Sequence, residues 1–307
     1  MEQQTETQQT SSPSQSTLET SSGPPSSVRP AAETDSPPST NGSCPGMASA
    51  GSPAWVYALG KVEVRFPNLS LEKEYYQIVG REETKGLTDT QASHAVLSQR
   101  QNRYLARQLC WVLTIEGLET YILHARDSDD VDLLVETLKP VKRPTDVDLI
   151  IGQRGPIAPA TMCNGLMVPI VAVDQTYSFD VNTLIKSIPK PEKVAAKEFE
   201  AAAEDIFYRI MQMADNAGAT DDHRALNYLA VRYPAIYHRA AECFGEKCSL
   251  SSVEVRPSRL SGARKIVDVI FTYTHRDTDV IDKYFVRVDV SEEFPFLVTK
   301  LSPYYDR

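Results

Sequence analysis

The sequence predicts an α+β fold: two consecutive subdomains with mixed or antiparallel sheets, a helical hairpin in the second, and a disordered tail in front. Three observations predict it. Residues 1–54 are rich in Ser, Thr, Gln, Pro and Gly and nearly devoid of large apolar side chains, so ordering them would cost entropy with nothing buried to offset it. From Trp55 onward, β-branched runs and helical stripes succeed one another without regular strand–helix–strand alternation, which argues against a doubly wound sheet. Residues 189–192 (PKPE) then interrupt every pattern near the middle of what remains, giving subdomains at 55–188 and 189–307.

The elements follow in order. Residues 55–66 alternate at Val62, Val64 and Phe66, a strand running to Pro67. Leu69, Tyr75, Ile78 and Val79 then recur at three-and-four spacing, a short helix ending near Gly80 or at Gly86. Thr88 and Gln91 form a T-x-x-Q capping box opening a helix over 88–108, with Val96, Leu97, Tyr104 and Leu105 inward. Residues 109–123 (LCWVLTIEGLETYIL) turn β-branched and aromatic, two strands around Glu116-Gly117 or one bulged strand. Asp130–Leu138 reads as a helix and 146–152 (DVDLIIG) as a strand. Residues 155–165 (GPIAPATMCNG) read as an irregular loop, and 166–179 as a strand that Pro169 assigns to an edge or a bulge. Asp180 caps a short helix through Ile188.

In the second half, Val194, Phe199, Ile206, Phe207, Ile210 and Met213 form an apolar stripe over 193–216. Gly218 suits the left-handed position that closes this helix. Thr220 or Asp221 caps the next, 221–244, which Pro234 kinks or breaks. The remainder is β: residues 251–258, 264–276, 279–291 and 296–301, with Asp277-Thr278 at a turn and Ile266, Val269 and Phe271 marking a central strand.

Charge narrows the function classes. The chain has 41 acidic and 32 basic residues, a formal charge of −9. The tail holds Glu2, Glu6, Glu19, Glu33 and Asp35 against Arg29 alone. No basic field exists to attract a phosphate backbone, so nucleic acid is not expected as a partner. No apolar run approaches 18 residues, so no membrane partner is expected, and the Glu- and Gln-rich N-terminus lacks a secretory h-region. The five cysteines are odd in number and sparse, which implies reduced thiols in a cytoplasm, with Cys110 and Cys163 as small buried hydrophobes.

Three stretches carry a resemblance: 162–175 (MCNGLMVPIVAVDQ), 211–237 (MQMADNAGATDDHRALNYLAVRYPAIY), and 254–307, opening EVRPSRLSGARKIVDVIF and closing KYFVRVDVSEEFPFLVTKLSPYYDR. They resemble the C-terminal region of the PatG-type cyanobactin maturation proteases. The segment from Leu87 to Leu123 resembles the N-terminal half of that region, so the likeness spans roughly 55–307. It implies a setting in the maturation of ribosomally made, post-translationally modified peptides. In those proteins the region follows a subtilisin-like domain, and it has no assigned catalytic residues to carry over. This chain has no GTSMA-like serine segment, HGT histidine segment or D-[ST]-G aspartate segment, so no triad is expected.

The remaining candidates rest on residue chemistry. Arg256, Arg259, Arg264 and Lys265 cluster around SRLSG, and guanidinium forks bind carboxylates, so they are the candidate peptide- or anion-binding group, with salt bridging to nearby acids at least as strong a reading. Cys163 and Asn164 lie in a loop, and a loop thiol with a depressed pKa can be a nucleophile, although no His lies near it in sequence. His223 stands at a helix start with acid–base range, where capping and surface charge are the plainer reading. His238, Cys243 and Cys248 have zinc-ligand chemistry, but five-residue intervals diverge on a helix, and no metal or other cofactor is expected. Asp146 with Asp148, and Asp277 with Asp279, are paired acids that read best as solvated strand and turn residues.

The combined expectation is a non-catalytic binding module for a precursor peptide or a maturation enzyme. An extended peptide would add to an exposed edge, the Pro169-bearing strand or the C-terminal one. A structural homodimer and an enzyme of unrecognised chemistry on such peptides are the alternatives.

Overall fold

A computed structural model describes residues 54–80, 87–127, 130–138, 143–192, 194–213 and 215–305. The expected disordered tail, 1–54, lies outside these except for Ala54.

The first half is built from β1 (Trp55–Arg65), α1 (Leu69–Val79), α2 (Asp89–Leu97), α3 (Arg103–Gln108), β2 (Cys110–Ile115), β3 (Leu118–Ala125), α4 (Val131–Thr137), β4 (Asp146–Ile157), β5 (Pro169–Asp180) and α5 (Val181–Ser187). Its strands close into a barrel in the order β1-β2-β3-β5-β4. All neighbours are antiparallel except β3 and β5, which run parallel. Val56, Ala58, Trp111, Leu113, Ile150, Val171 and Val173 of the strands join Leu71, Val96, Leu105 and Leu134 of the helices in one apolar cluster.

Local chemistry sets the boundaries. The capping box forms as expected: Gln91 N–H donates to Thr88 Oγ1 and Thr88 N–H to Gln91 Oε1. The helix it opens does not run to 108. It stops at Leu97, and a 3₁₀ turn at Arg100–Asn102 precedes α3. Buried Asn102 donates its Nδ2 to Val96 O at 2.9 Å, satisfying a carbonyl at the end of α2. The break turns Tyr104 outward, where its hydroxyl donates to Glu74. The Glu116-Gly117 turn has positive φ at both residues, 50° and 82°, the twist-matched hairpin geometry. Pro169 sits at a register irregularity as expected, but β5 lies between β3 and β4 and is no sheet edge.

The second half contains α6 (Ala196–Met211), α7 (Asp221–Arg232), α8 (Ala235–Gly245), β6 (Cys248–Pro257), β7 (Ile266–His275), β8 (Ile281–Asp289) and β9 (Phe296–Pro303). Pro234 has no N–H to continue the ladder and separates α7 from α8. The four strands form an antiparallel sheet in the order β6-β7-β8-β9, with β7 internal. Phe199, Ile206 and Ile210 of α6, Leu226 and Leu229 of α7, and Ile236 and Tyr237 of α8 cover one face through Val267, Val269, Phe271, Val286 and Val288.

Both layers fall within one compact unit, Ala50–Arg307. Tyr228 and Val231 of α7 pack on Tyr57, Leu59, Leu149 and Ile151 of the barrel, so α7 presents apolar residues to the barrel as well as to the sheet.

Candidate functional site

Strand alternation sorts the second sheet into two faces. On β6, Val253 and Val255 face the helices and Glu254 and Arg256 face away. On β7 the same division puts Asp268 and Ile270 on the outer face, and on β8 it puts Phe285 and Arg287 there. Register aligns them in two rows, Arg256↔Asp268↔Arg287 and Glu254↔Ile270↔Phe285. The β6–β7 turn brings Arg259 beside the first row, and the segment after β9 brings Tyr304 and Tyr305 beside the second. All of these except Glu254 line an open cleft of about 590 Å³.

The cleft is cationic and aromatic. Arg256 forks onto Glu254 with contacts of 2.6 and 2.8 Å. Arg287 Nε donates to Asp268 Oδ1 at 3.0 Å and to Ser258 Oγ at 3.3 Å, while its guanidinium lies 4.8 Å from the Phe285 ring centroid. Phe285 meets Tyr304 edge-on at 5.6 Å. Arg259 has no ion pair or hydrogen bond among the described residues. Ile270 is only 2% exposed, so the floor between the charges is packed and apolar.

The expected basic cluster is thus divided. Arg256 and Arg259 line the cleft. Arg264 instead pairs with the buried Asp289 carboxylate and lies over Phe296, and Lys265 Nζ sits 3.6 Å from Asp221. Arg287, Phe285 and Tyr304 were not anticipated. The alternation in KYFVRVDV gives 285 and 287 one face, but only pairing with β7 places that face opposite Asp268.

The loop candidates have a different fate. Cys163 is bonded to Cys110, with Cα atoms 5.7 Å apart, so neither is a free thiol and Cys163 offers no thiolate nucleophile. This corrects the expectation of reduced, inert thiols at both positions. Apolar burial is correct for both, but β2 and the loop after β4 bring them into register with each other. Cys163, Asn164 and Gly165 all have positive φ (50°, 54° and 85°), a tight left-handed turn closed by Gly165 N–H to Met162 O. Residues 155–157 extend β4, which shortens the expected loop.

His223 lies in the first turn of α7, where its backbone N–H donates to Thr220 Oγ1. Its buried Nδ1 has no hydrogen-bond partner among the described residues, and burial lowers its pKa against the opposing pull of Asp222 and Asp215. His238, Cys243 and Cys248 occupy α8 and the start of β6. Cys243 and Cys248 are free and buried, and burial pushes the Cys243 thiol up to about 12. Among the described residues no group of three or more His, Cys, Asp or Glu side chains is arranged to hold a metal.

Asp146 and Asp148 are not solvated strand residues: they are 4% and 1% exposed. Asp146 accepts from Arg143 N–H at 2.6 Å, and Asp148 accepts from Val62 N–H at 2.8 Å and from the Ser178 hydroxyl. Asp148 ties β4 to β1 and β5, and Asp146 closes the turn that leads into β4, a structural use of buried carboxylates. Asp277 and Asp279 are exposed at the β7–β8 turn, where Asp277 pairs with Lys247 at 2.8 Å.

A second cavity, about 350 Å³, lies between α3, α4 and the β2–β3 hairpin, with Trp111, Leu123 and Leu134 in its wall. Among the described residues, no helix is long and apolar enough to cross a membrane.

Residues 193–304 match the family model described as PatG C-terminal. Among solved structures, a chain titled "PatG Domain of Unknown Function" matches with a TM-score of 0.66 and 19% sequence identity, over 82% of this chain and 98% of that one. At that identity the likeness shows the fold. No curated protein matches. Residues 193–304 are therefore similar to the PatG C-terminal family, and the solved structure shows that the fold likeness extends over most of the chain.

Proposed function

We propose that this chain, with its PatG C-terminal match over 193–304, is a non-catalytic accessory module that binds an extended peptide during maturation of ribosomally made, modified peptides of the cyanobactin kind. The observation that carries the reading is the outer face of the second sheet. Helices cover the inner face, while the outer face forms a cleft that combines guanidinium groups with aromatic rings. Rigid rings and planar cations are the side chains that concentrate binding energy in protein interfaces.

The sheet also offers a route for backbone recognition. β9 is an edge strand with no strand beyond it among the described residues, and it runs into the Pro303–Tyr305 segment that lines the cleft. An incoming strand on β9 gains main-chain hydrogen bonds, while pockets beside it select side chains. Of the two edges anticipated, this C-terminal one remains, since Pro169 lies inside the barrel.

The test is fluorescence anisotropy with labelled precursor peptides encoded beside the gene. Saturable binding at micromolar protein supports the reading. A flat titration up to several hundred micromolar protein removes it.

A further inference from the structure

We infer that the cleft on the second sheet recognises a peptide carboxylate, through Arg259 and the terminal nitrogens of Arg287. This rests on the reading of that face as the peptide-binding one and names what it selects.

The inference starts from unused donors. A guanidinium carries five N–H groups in a planar fork suited to a carboxylate. Arg287 spends only Nε, on Asp268 and Ser258, and its two terminal nitrogens make no hydrogen bond among the described residues. Arg259 spends none. Asp268 and the Phe285 ring hold the Arg287 guanidinium in one plane, so its remaining donors are oriented before any ligand arrives. Arg256 is held in the same way by Glu254.

Charge and shape select the ligand. Among the described residues the cleft sets three guanidiniums against the Asp268 carboxylate, with Glu254 beside it on Arg256, a net cationic spot on a chain of charge −9. Beside the free donors lie the apolar Ile270 floor and the Phe285–Tyr304 pair. A carboxylate with an apolar or aromatic side chain next to it satisfies both halves. An amide or ester at the same place leaves the Arg259 and Arg287 donors without an anionic acceptor. Two sources share this chemistry: the free C-terminus of a peptide, and an internal Asp or Glu next to an apolar residue.

Isothermal titration of the full chain with short peptides tests it. The probes are acetyl-Ala-Phe as free acid, the same peptide as C-terminal amide, and an amidated peptide carrying an internal Glu-Phe or Gln-Phe. The free acid is expected to bind at least about tenfold more tightly than its amide, as loss of a charge-assisted fork requires. Tight binding of the Glu-Phe peptide relative to Gln-Phe would assign the site to side-chain carboxylates instead of the terminus. Arg259→Gln, which breaks no hydrogen bond or ion pair among the described residues, should remove the acid–amide difference, whereas Arg264→Gln should leave it intact.

Equal affinity for acid and amide overturns the inference, as does an unchanged difference in Arg259→Gln or no binding of any probe at millimolar concentration. A probe that binds with this pattern while the precursor peptides fail in the anisotropy assay would keep the carboxylate site and discard the maturation role.

Discussion

Asn227 donates its Nδ2 to the carbonyl of Tyr57 at 2.8 Å, joining a helix of the second half to the first strand of the barrel across 170 residues of sequence. Asn227 also exchanges hydrogen bonds with Asn216, at 2.8 and 3.2 Å, and Asn216 donates to Ile210 O at 3.0 Å. Asn227 is 0% exposed and Asn216 6%. Each amide therefore satisfies the other, and the pair supplies partners to carbonyls at the Tyr57 and Ile210 positions that water does not reach.

Replacing Asn227 with Leu strands the Tyr57 carbonyl and the Asn216 amide. The expected loss is about 2–3 kcal/mol, the range for an unsatisfied buried polar group. Urea unfolding of the single variants and of Asn216→Ala/Asn227→Leu measures it. The double variant should lose less than the sum, because the two amides are each other's partners.

Gly218 controls the same junction. Its φ is +69°, its carbonyl accepts from Tyr57 N–H at 2.9 Å, and an added Cβ would stand 2.5 Å from Tyr57 O and 2.6 Å from Ala58 Cα. Gly218→Ala should cost at least about 2 kcal/mol, combining left-handed strain with a backbone clash. Gly262→Ala is the control. Nothing lies within 4 Å of its added Cβ, so its melting temperature should stay near the wild-type value.

The Cys110–Cys163 bond closes a segment of 53 residues that includes β3, α4 and β4. Constraining that loop in the unfolded chain contributes about 2–4 kcal/mol. Reduction, or the Cys110→Ala/Cys163→Ala pair, should lower the unfolding midpoint accordingly. Hydrogen exchange should rise first over residues 158–168. A reduced protein with an unchanged midpoint would show that the bond adds no stability.

Glu293 introduces a pH dependence. Burial first, then donation by its protonated carboxyl to Asp174 and the like charge of that group, raise its carboxyl from the ordinary value to about 7, against the pull of Arg126 and Arg224. A carboxyl raised on folding contributes stability that is fully present below about pH 4.5 and is lost as pH rises through 7. Wild type should therefore lose stability across that window. Glu293→Gln should flatten the slope and exceed wild type at pH 8. Parallel curves for the two proteins in thermal melts from pH 4.5 to 8 would refute the assignment.

The cleft shows how far sequence reaches. Arg256 and Arg259 are legible because a cluster of arginines around a turn is unusual and local. Arg264 and Lys265 look equivalent to them in one dimension, yet the chain turns them toward Asp289 and Asp221. Their partners come from the end of β8 and the start of α7, and no local rule reports such distances. Likewise, the β-branched and polar pattern around Asp146 and Asp148 suggested wet strand faces. Both are buried instead, Asp148 against Val62 and Ser178 on neighbouring strands and Asp146 against the Arg143 N–H.

What the sequence determined by itself is what short-range physics controls. The Thr88–Gln91 capping box, the Glu116-Gly117 turn, the Pro234 break and the alternation in the last four strands each depend on a few adjacent residues competing for backbone hydrogen bonds. Tertiary structure decided what distant residues share. It closed five strands into a barrel, bonded Cys110 to Cys163, joined Asn227 to Tyr57, and set Arg287 beside Asp268. Those outcomes depend on strand order and register, which follow from burying the apolar faces of the whole chain together and are not encoded in any single stretch.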